Sequence, residues 1–182
     1  MKYNTFVSEK TAALNVAHKM VTAAKTAPKG CGTDKIVAFI LDGEEKSQLC
    51  EEMKKMAVLP DSGFFERDSN NLNSSHCVIL IGVINVPLGL TTCGFCGFPN
   101  CAASVKAGSL CAFNTTDLGI AIGSAVSIAA DHRIDNRVMF SIGKAALSLG
   151  LFEEDVHIAY GIPLSTGSKS IFFDREAASV LL

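Results

Sequence analysis

Four cysteines, Cys93, Cys96, Cys101 and Cys111, form the pattern C-x2-C-x4-C-x9-C, and the first three lie in the compact run CGFCGFPNC. Four thiolates within nineteen residues can wrap one metal centre. An iron–sulfur cluster takes one soft thiolate for each iron, and glycines such as Gly94 and Gly97 let backbone amides approach the cluster sulfides. Zinc also accepts four thiolates, but usually from two knuckles with two-residue gaps, and only one gap here has that length. Softness and spacing therefore favour a four-iron cluster, with structural zinc as the alternative. Phe95 and Phe98 would shield such a centre from water, although aromatic residues are as often plain core. Cys50 and Cys77 read as core thiols, and Cys31, in the glycine turn Lys29-Gly30-Cys31-Gly32, lies apart from the cluster and is not assigned a reactive role, although a glycine loop could expose it.

The chain that must position these cysteines has 182 residues, which implies one α+β domain over 1–182 with a cysteine-rich insert at 90–111. Sixteen Lys and Arg against eighteen Asp and Glu leave a net charge of −2, with no basic excess to attract nucleic acid. The stretches 77–90 and 118–130 are the longest uncharged apolar ones, and both are too short to span a bilayer. No signal-peptide pattern opens the chain, so a cytoplasmic protein is expected; seven cysteines are many for a reducing compartment, and clustered ones there suggest metal or redox chemistry rather than a disulfide frame.

Apolar residues at three- and four-residue intervals predict a helix from Glu9 to Ala27, ended by Pro28. Lys35–Leu41 reads as a strand, and Asp42 with Glu45 as a capping box opening a helix to about Val58. A polar segment around Arg67-Asp68 and Asn70–Ser75 precedes a second apolar run, Cys77–Val83. After the insert, Thr116–Ala130 is small and apolar on nearly all sides, as befits a central helix in which Gly119 and Gly123 allow close packing. A helix over Asp135–Leu149 and strands at Val156–Tyr160 and Ser170–Phe173 complete the expected order.

These residues resemble a family of uncharacterised prokaryotic proteins containing a ferredoxin domain. The resemblance runs almost end to end, through Thr26-Ala27-Pro28-Lys29, Gly32-Thr33-Asp34, Arg67-Asp68, CGFCGFPNC, DLGIAIGSAVSIAA from Asp117, DNRVMFSIGKAA from Asp135, Gly161-Ile162-Pro163-Leu164-Ser165 and Phe172-Phe173-Asp174-Arg175. The cysteine segment separately resembles the four-iron domain of corrinoid and carbon monoxide dehydrogenase–associated proteins, through Cys93, Cys96, Cys101 and Gly108. In that pattern the last cysteine usually lies further on. These resemblances imply one [4Fe-4S] cluster and electron transfer to a redox partner protein.

The scaffold resembles FMN-dependent nitroreductases, through AAKTAPKGCGTDKIVAFIL and the small-residue helix from Asp117. This implies a mainly antiparallel sheet packed by helices around a buried central helix, a homodimer, and FMN in an oxidoreductase role with the cluster as electron inlet. The arginine- and serine-rich start that holds the flavin phosphate in that family is absent, and Gly32 and Asp34 replace its polar pair. Pro28 would mark the flavin pocket, with Lys25, Lys29, Lys169 and Arg175 as phosphate partners. A non-enzymatic module in which the metal only staples the insert is the remaining reading. The four histidines, His18, His76, His132 and His157, show no zinc-enzyme spacing.

Overall fold

A computed structural model of the chain describes residues 2–152 and 155–173. Its elements are α1 (Thr5–Thr26), a single 3-10 turn (Gly30–Gly32), β1 (Ile36–Leu41), α2 (Gly43–Met56), α3 (Phe64–Asn73), β2 (Cys77–Ile84), α4 (Cys101–Lys106), α5 (Ala112–Asp131), β3 (Asp135–Asn136), α6 (Phe140–Ser148) and β4 (Val156–Ser165). The strands form one antiparallel sheet in the order β1-β2-β4-β3, with Ile36 opposite Val83 and Cys77 opposite Leu164. The architecture is the α+β one expected from sequence.

The sheet is covered on both sides. Along β2, Cys77, Ile79, Ile81 and Val83 pack with α1 and α5, while Val78 and Leu80 pack with α2, α3 and α6. A strand buried on both faces needs an unbroken apolar run, which is why CVILIGVI shows no alternation. On the first face the small residues Ala13, Ala17 and Ala24 of α1 and Ala121, Ala125 and Ala129 of α5 are buried together, and Ser124 Oγ donates to the Ala23 carbonyl at 3.0 Å. The other side of α5 is open in the single chain. Nothing stands near Gly119 or Gly123, so the close packing expected at these glycines is not made within one chain.

Several boundaries differ from the periodicity reading, each for a local reason. Helix α1 starts at Thr5, a turn before Glu9, because the Asn4 side chain accepts from the Val7 amide at 2.9 Å. Asp42 sits at the N-cap of α2 but makes no capping bond, and its carboxylate pairs with Lys10 at 3.2 Å instead. The polar stretch after Phe64 is the helix α3, whose buried side contains Asp68 and Ser69 beside Phe65 and Leu72, so the apolar period is broken. Residues 135–136 pair with β4 rather than opening a helix, and β4 continues to Ser165. Residues 170–173 form no strand; they bend, and Phe172 plugs the second core. Among the described residues no helix is long and apolar enough to cross a membrane.

Helix α6 lies directly on β4. A Cβ on Gly143 would sit 1.9 Å from the Ala159 carbonyl oxygen, and one on Gly161 would sit 2.1 Å from the Ile142 side chain. Backbone cannot yield as a flexible side chain does, so Gly143→Ala should destabilise the protein by about 3 kcal/mol, as overpacking of a filled core does. A thermal melt compared with wild type tests this.

Candidate metal centre

Residues 85–111 form the segment between β2 and α5, and its two ends are pinned together by one side chain. Asn85 donates through Nδ2 to the Ser109 carbonyl at 3.2 Å, and its Oδ1 accepts from the Cys111 amide at 3.2 Å. Asn114, buried in the first turn of α5, donates to the Ile84 and Val86 carbonyls at 3.1 and 3.2 Å. Inside this clasp the Cys101 amide donates to the Leu90 carbonyl at 3.1 Å, and the Gly97 amide to the Gly94 carbonyl at 3.0 Å. Asn100 caps α4 by accepting from the Ala103 amide at 2.9 Å. Gly94 and Gly97 have φ of 69° and 84°, a region costly for residues with a Cβ.

The result is a small cavity, partly open to solvent, and Cys93, Cys96, Cys101 and Cys111 all line it. Leu88, Leu90, Phe95 and Phe113 supply apolar walls. Phe95 stacks on Phe113 with ring centres 5.5 Å apart and planes within 15°. Phe98, expected to shield the centre, is not among the lining residues, and Phe113 of α5 takes that place. Sequence reasoning missed Asn85, Asn114 and Phe113; only Asn100, directly before a helical cysteine, carried a readable capping signal. As placed, the thiols are spread around the cavity. No three His, Cys, Asp or Glu among the described residues form a group that would hold a single ion.

The thiols differ in what surrounds them. Ser104, buried and 2.6 Å from Ser109 Oγ, hydrogen-bonds Cys96 and is the main reason its thiol ionises more easily than usual, with the Phe98 backbone next. Cys111 is the N-cap residue of the 20-residue α5. Burial pushes Cys50 up, and pushes Cys77 up to about 12. All seven cysteines are unpaired thiols. The donor set therefore fits a cysteine-ligated centre: four thiols on one cavity, one with easier ionisation, one on a helix N-terminus, and two others held neutral in the core.

The residues named for a flavin do not converge. Lys25 donates to the Ile36 carbonyl at 2.6 Å and pairs with Asp34 at 2.5 Å. Lys29 donates to the Ala24 and Lys25 carbonyls, both at 2.6 Å, and so closes the C-terminus of α1 beside exposed Pro28. Burial is the main cause that lowers the Lys29 pKa. Lys169 lines a groove with α3, on the opposite side of the sheet from α1, and Arg175 lies outside the described residues. The histidines are dispersed: His76 contacts Thr166, His132 contacts Lys19, and His157 pairs with Asp155.

The comparisons with known proteins bear on both parts of the molecule. An uncharacterized protein from Archaeoglobus fulgidus is 40% identical over 164 residues, 86% of this chain and 88% of that protein. Residues 107–175 match the family described as uncharacterized protein containing a ferredoxin domain. The chain belongs to this family. Of the four cysteines, the matched segment includes Cys111. The chain has a nitroreductase-like fold: a nitroreductase with bound FMN from Desulfitobacterium hafniense superposes with a TM-score of 0.58 at 16% identity, covering 86% of this chain and 79% of that one. A putative NADH oxidase from Clostridium acetobutylicum gives 0.53 at 13% identity, covering 90% and 84%.

Reactivity should follow these surroundings in metal-free protein. Alkylation at pH 8, read by mass spectrometry, should reach Cys96 early and Cys77 last, because the thiolate fraction rises at lower pH for Cys96 and only near pH 12 for Cys77. Labelling of Cys77 as fast as Cys96 in folded protein would contradict this.

Proposed function

We propose that the chain is a redox protein that holds one [4Fe-4S] cluster on Cys93, Cys96, Cys101 and Cys111 and exchanges single electrons with a partner protein in the cytoplasm. The observation that carries this reading is the shared cavity: thiols from the loop, from α4 and from the start of α5 line one small space. Membership in a family described by its ferredoxin domain supports it. Residues 90–111 then act as a metal-binding insert in a single α+β domain.

When bound, a cluster of this kind supplies one-electron transfer at a potential set by its surroundings. The chain's own residues set those surroundings. Phe95, Phe113, Leu88 and Leu90 give it apolar walls, and the amide-rich first turn of α5 lies at Cys111. Between Asn85 and Thr116 the one charged residue is Lys106. A four-iron cluster would take one thiolate at each iron, whereas zinc would need its four ligands on a single ion.

Flavin binding is the second reading, favoured by the fold shared with FMN-containing nitroreductases. The open side of α5 at Gly119, Ile120 and Gly123 suits the homodimer that this reading entails. Lys25 and Lys29, held on backbone carbonyls, give it no assembled phosphate site with Lys169.

Protein purified without oxygen should contain about four irons and matching sulfide per chain. Cys96→Ser should lose that iron, because a hydroxyl is a hard, weak ligand for cluster iron. Cys50→Ala, a change in the distant second core, should keep it. Full iron in Cys96→Ser, or its loss in Cys50→Ala, would refute the ligand assignment.

A further inference from the structure

A second concave site adjoins the cysteine cavity along α4. It is a solvent-open groove of about 680 Å³, within the size range of small-molecule sites. Of the four cavity cysteines, Cys101 is the one that also lines this groove. The walls are apolar: Val86, Leu90 and Val105 are 50%, 39% and 59% exposed, and Pro87 and Ala102 complete them. Apolar side chains left in water together on one concave surface mark a place where something else binds.

The polar side chains that line the groove can all donate hydrogen bonds. Asn100 spends its Oδ1 on the Ala103 amide, which leaves its Nδ2 hydrogens. Thr91 adds a hydroxyl and Lys106 an ammonium, and neither has a hydrogen-bond or ion-pair partner among the described residues. No carboxylate lines the groove. An occupant should therefore be apolar in its body and carry hydrogen-bond acceptors at its edge. Negative charge in it is disfavoured, because the thiolates that would hold a cluster lie next door and Lys106 is the groove's single cation.

We propose that this groove binds a neutral quinone beside Cys101 and passes electrons to it, an inference that rests on the cluster reading above. A quinone has the apolar ring that the walls require, and its two carbonyl oxygens accept from the donors. In the overall step two reduced centres lose one electron each, and the quinone takes both electrons and two protons from solvent to become the hydroquinone. Negative charge grows on the quinone oxygens as electrons arrive, and donors already in place, Lys106 above all, stabilise it there. The contact is set by one helix: Cys101 is the first residue of α4, and Ala102 and Val105 of the same helix line the groove.

The test is equilibrium dialysis of the anaerobically purified, iron-loaded protein against duroquinone, whose fully substituted ring leaves no position for thiol addition. Saturable binding at a single site is expected. Val105→Glu, which puts a carboxylate in the groove from an exposed helix position, should weaken it about tenfold or more, and Lys106→Gln should weaken it less. Val58→Glu, at an exposed position outside the groove, should not change it. Decanoate, apolar but anionic, should bind far more weakly than duroquinone. Protein reduced with dithionite and then freed of it should regain its visible absorption when duroquinone is added, at a rate that levels off with quinone concentration in wild type and not in Val105→Glu. Iron-loaded protein that binds no duroquinone, binds it unchanged in Val105→Glu, or holds decanoate as tightly would overturn the proposal. Protein that carries no iron would instead refute the cluster reading, whatever it binds, and the electron transfer proposed here with it.

Discussion

Everything in this molecule hangs on β2, a strand with no wet face. Seven of its eight residues are buried, and each apolar side chain removed from water contributes about 2 kcal/mol to one of two cores. Burial on both sides obliges every backbone polar group near its end to find a partner inside the protein. At Ile84 and Val86 those partners are side-chain amides from Asn114, and at Asn85 the strand's own side chain reaches Ser109 and Cys111. The same bonds that finish the sheet thus close the cysteine segment. The end of the sheet and the ends of the cysteine segment are held by the same two asparagines.

The seven cysteines show how one functional group is given different tasks by its surroundings. Cys50 and Cys77 lie where charge is costly, so their thiols stay protonated and behave as small apolar groups. Cys96 meets the Ser104 hydroxyl, and Cys111 meets the start of α5. Cys31, exposed with φ of 55°, sits on a turn anchored by the Asp117 carboxylate, which accepts from the Gly30 amide at 3.0 and 3.1 Å. That turn packs on Phe113 and Leu88, two walls of the cysteine cavity, so α1, α5 and the insert meet at one place.

Much of this was legible in the sequence where the signal is local. The cysteine spacing, the apolar runs of β1 and β2, the alanine period of α1 and the small-residue pattern of α5 depend on neighbours a few residues away. The readings that missed were set by distant contacts. Helix α3 hides because Asp68 and Ser69 occupy buried positions, made tolerable by Ser141, Arg67 and the Cys50 carbonyl. Residues 135–136 become a strand only because β4 lies beside them. Lys25 and Lys29 look like anion partners in a linear string, but the Ile36 carbonyl of β1 takes the first and the carbonyls at the end of α1 take the second. Asn85 and Asn114 are ordinary asparagines until the sheet brings Ile84 and Cys111 together.

The central claim is that the clasped cysteines hold an iron–sulfur cluster able to accept an electron. The most direct measurement is the visible absorption of protein purified without oxygen, before and after dithionite, with iron, sulfide, zinc and flavin quantified on the same sample. A brown protein that bleaches reversibly, with about four irons per chain, is the result this account predicts. A colourless protein carrying zinc in those four thiols would contradict it and leave the insert a structural staple.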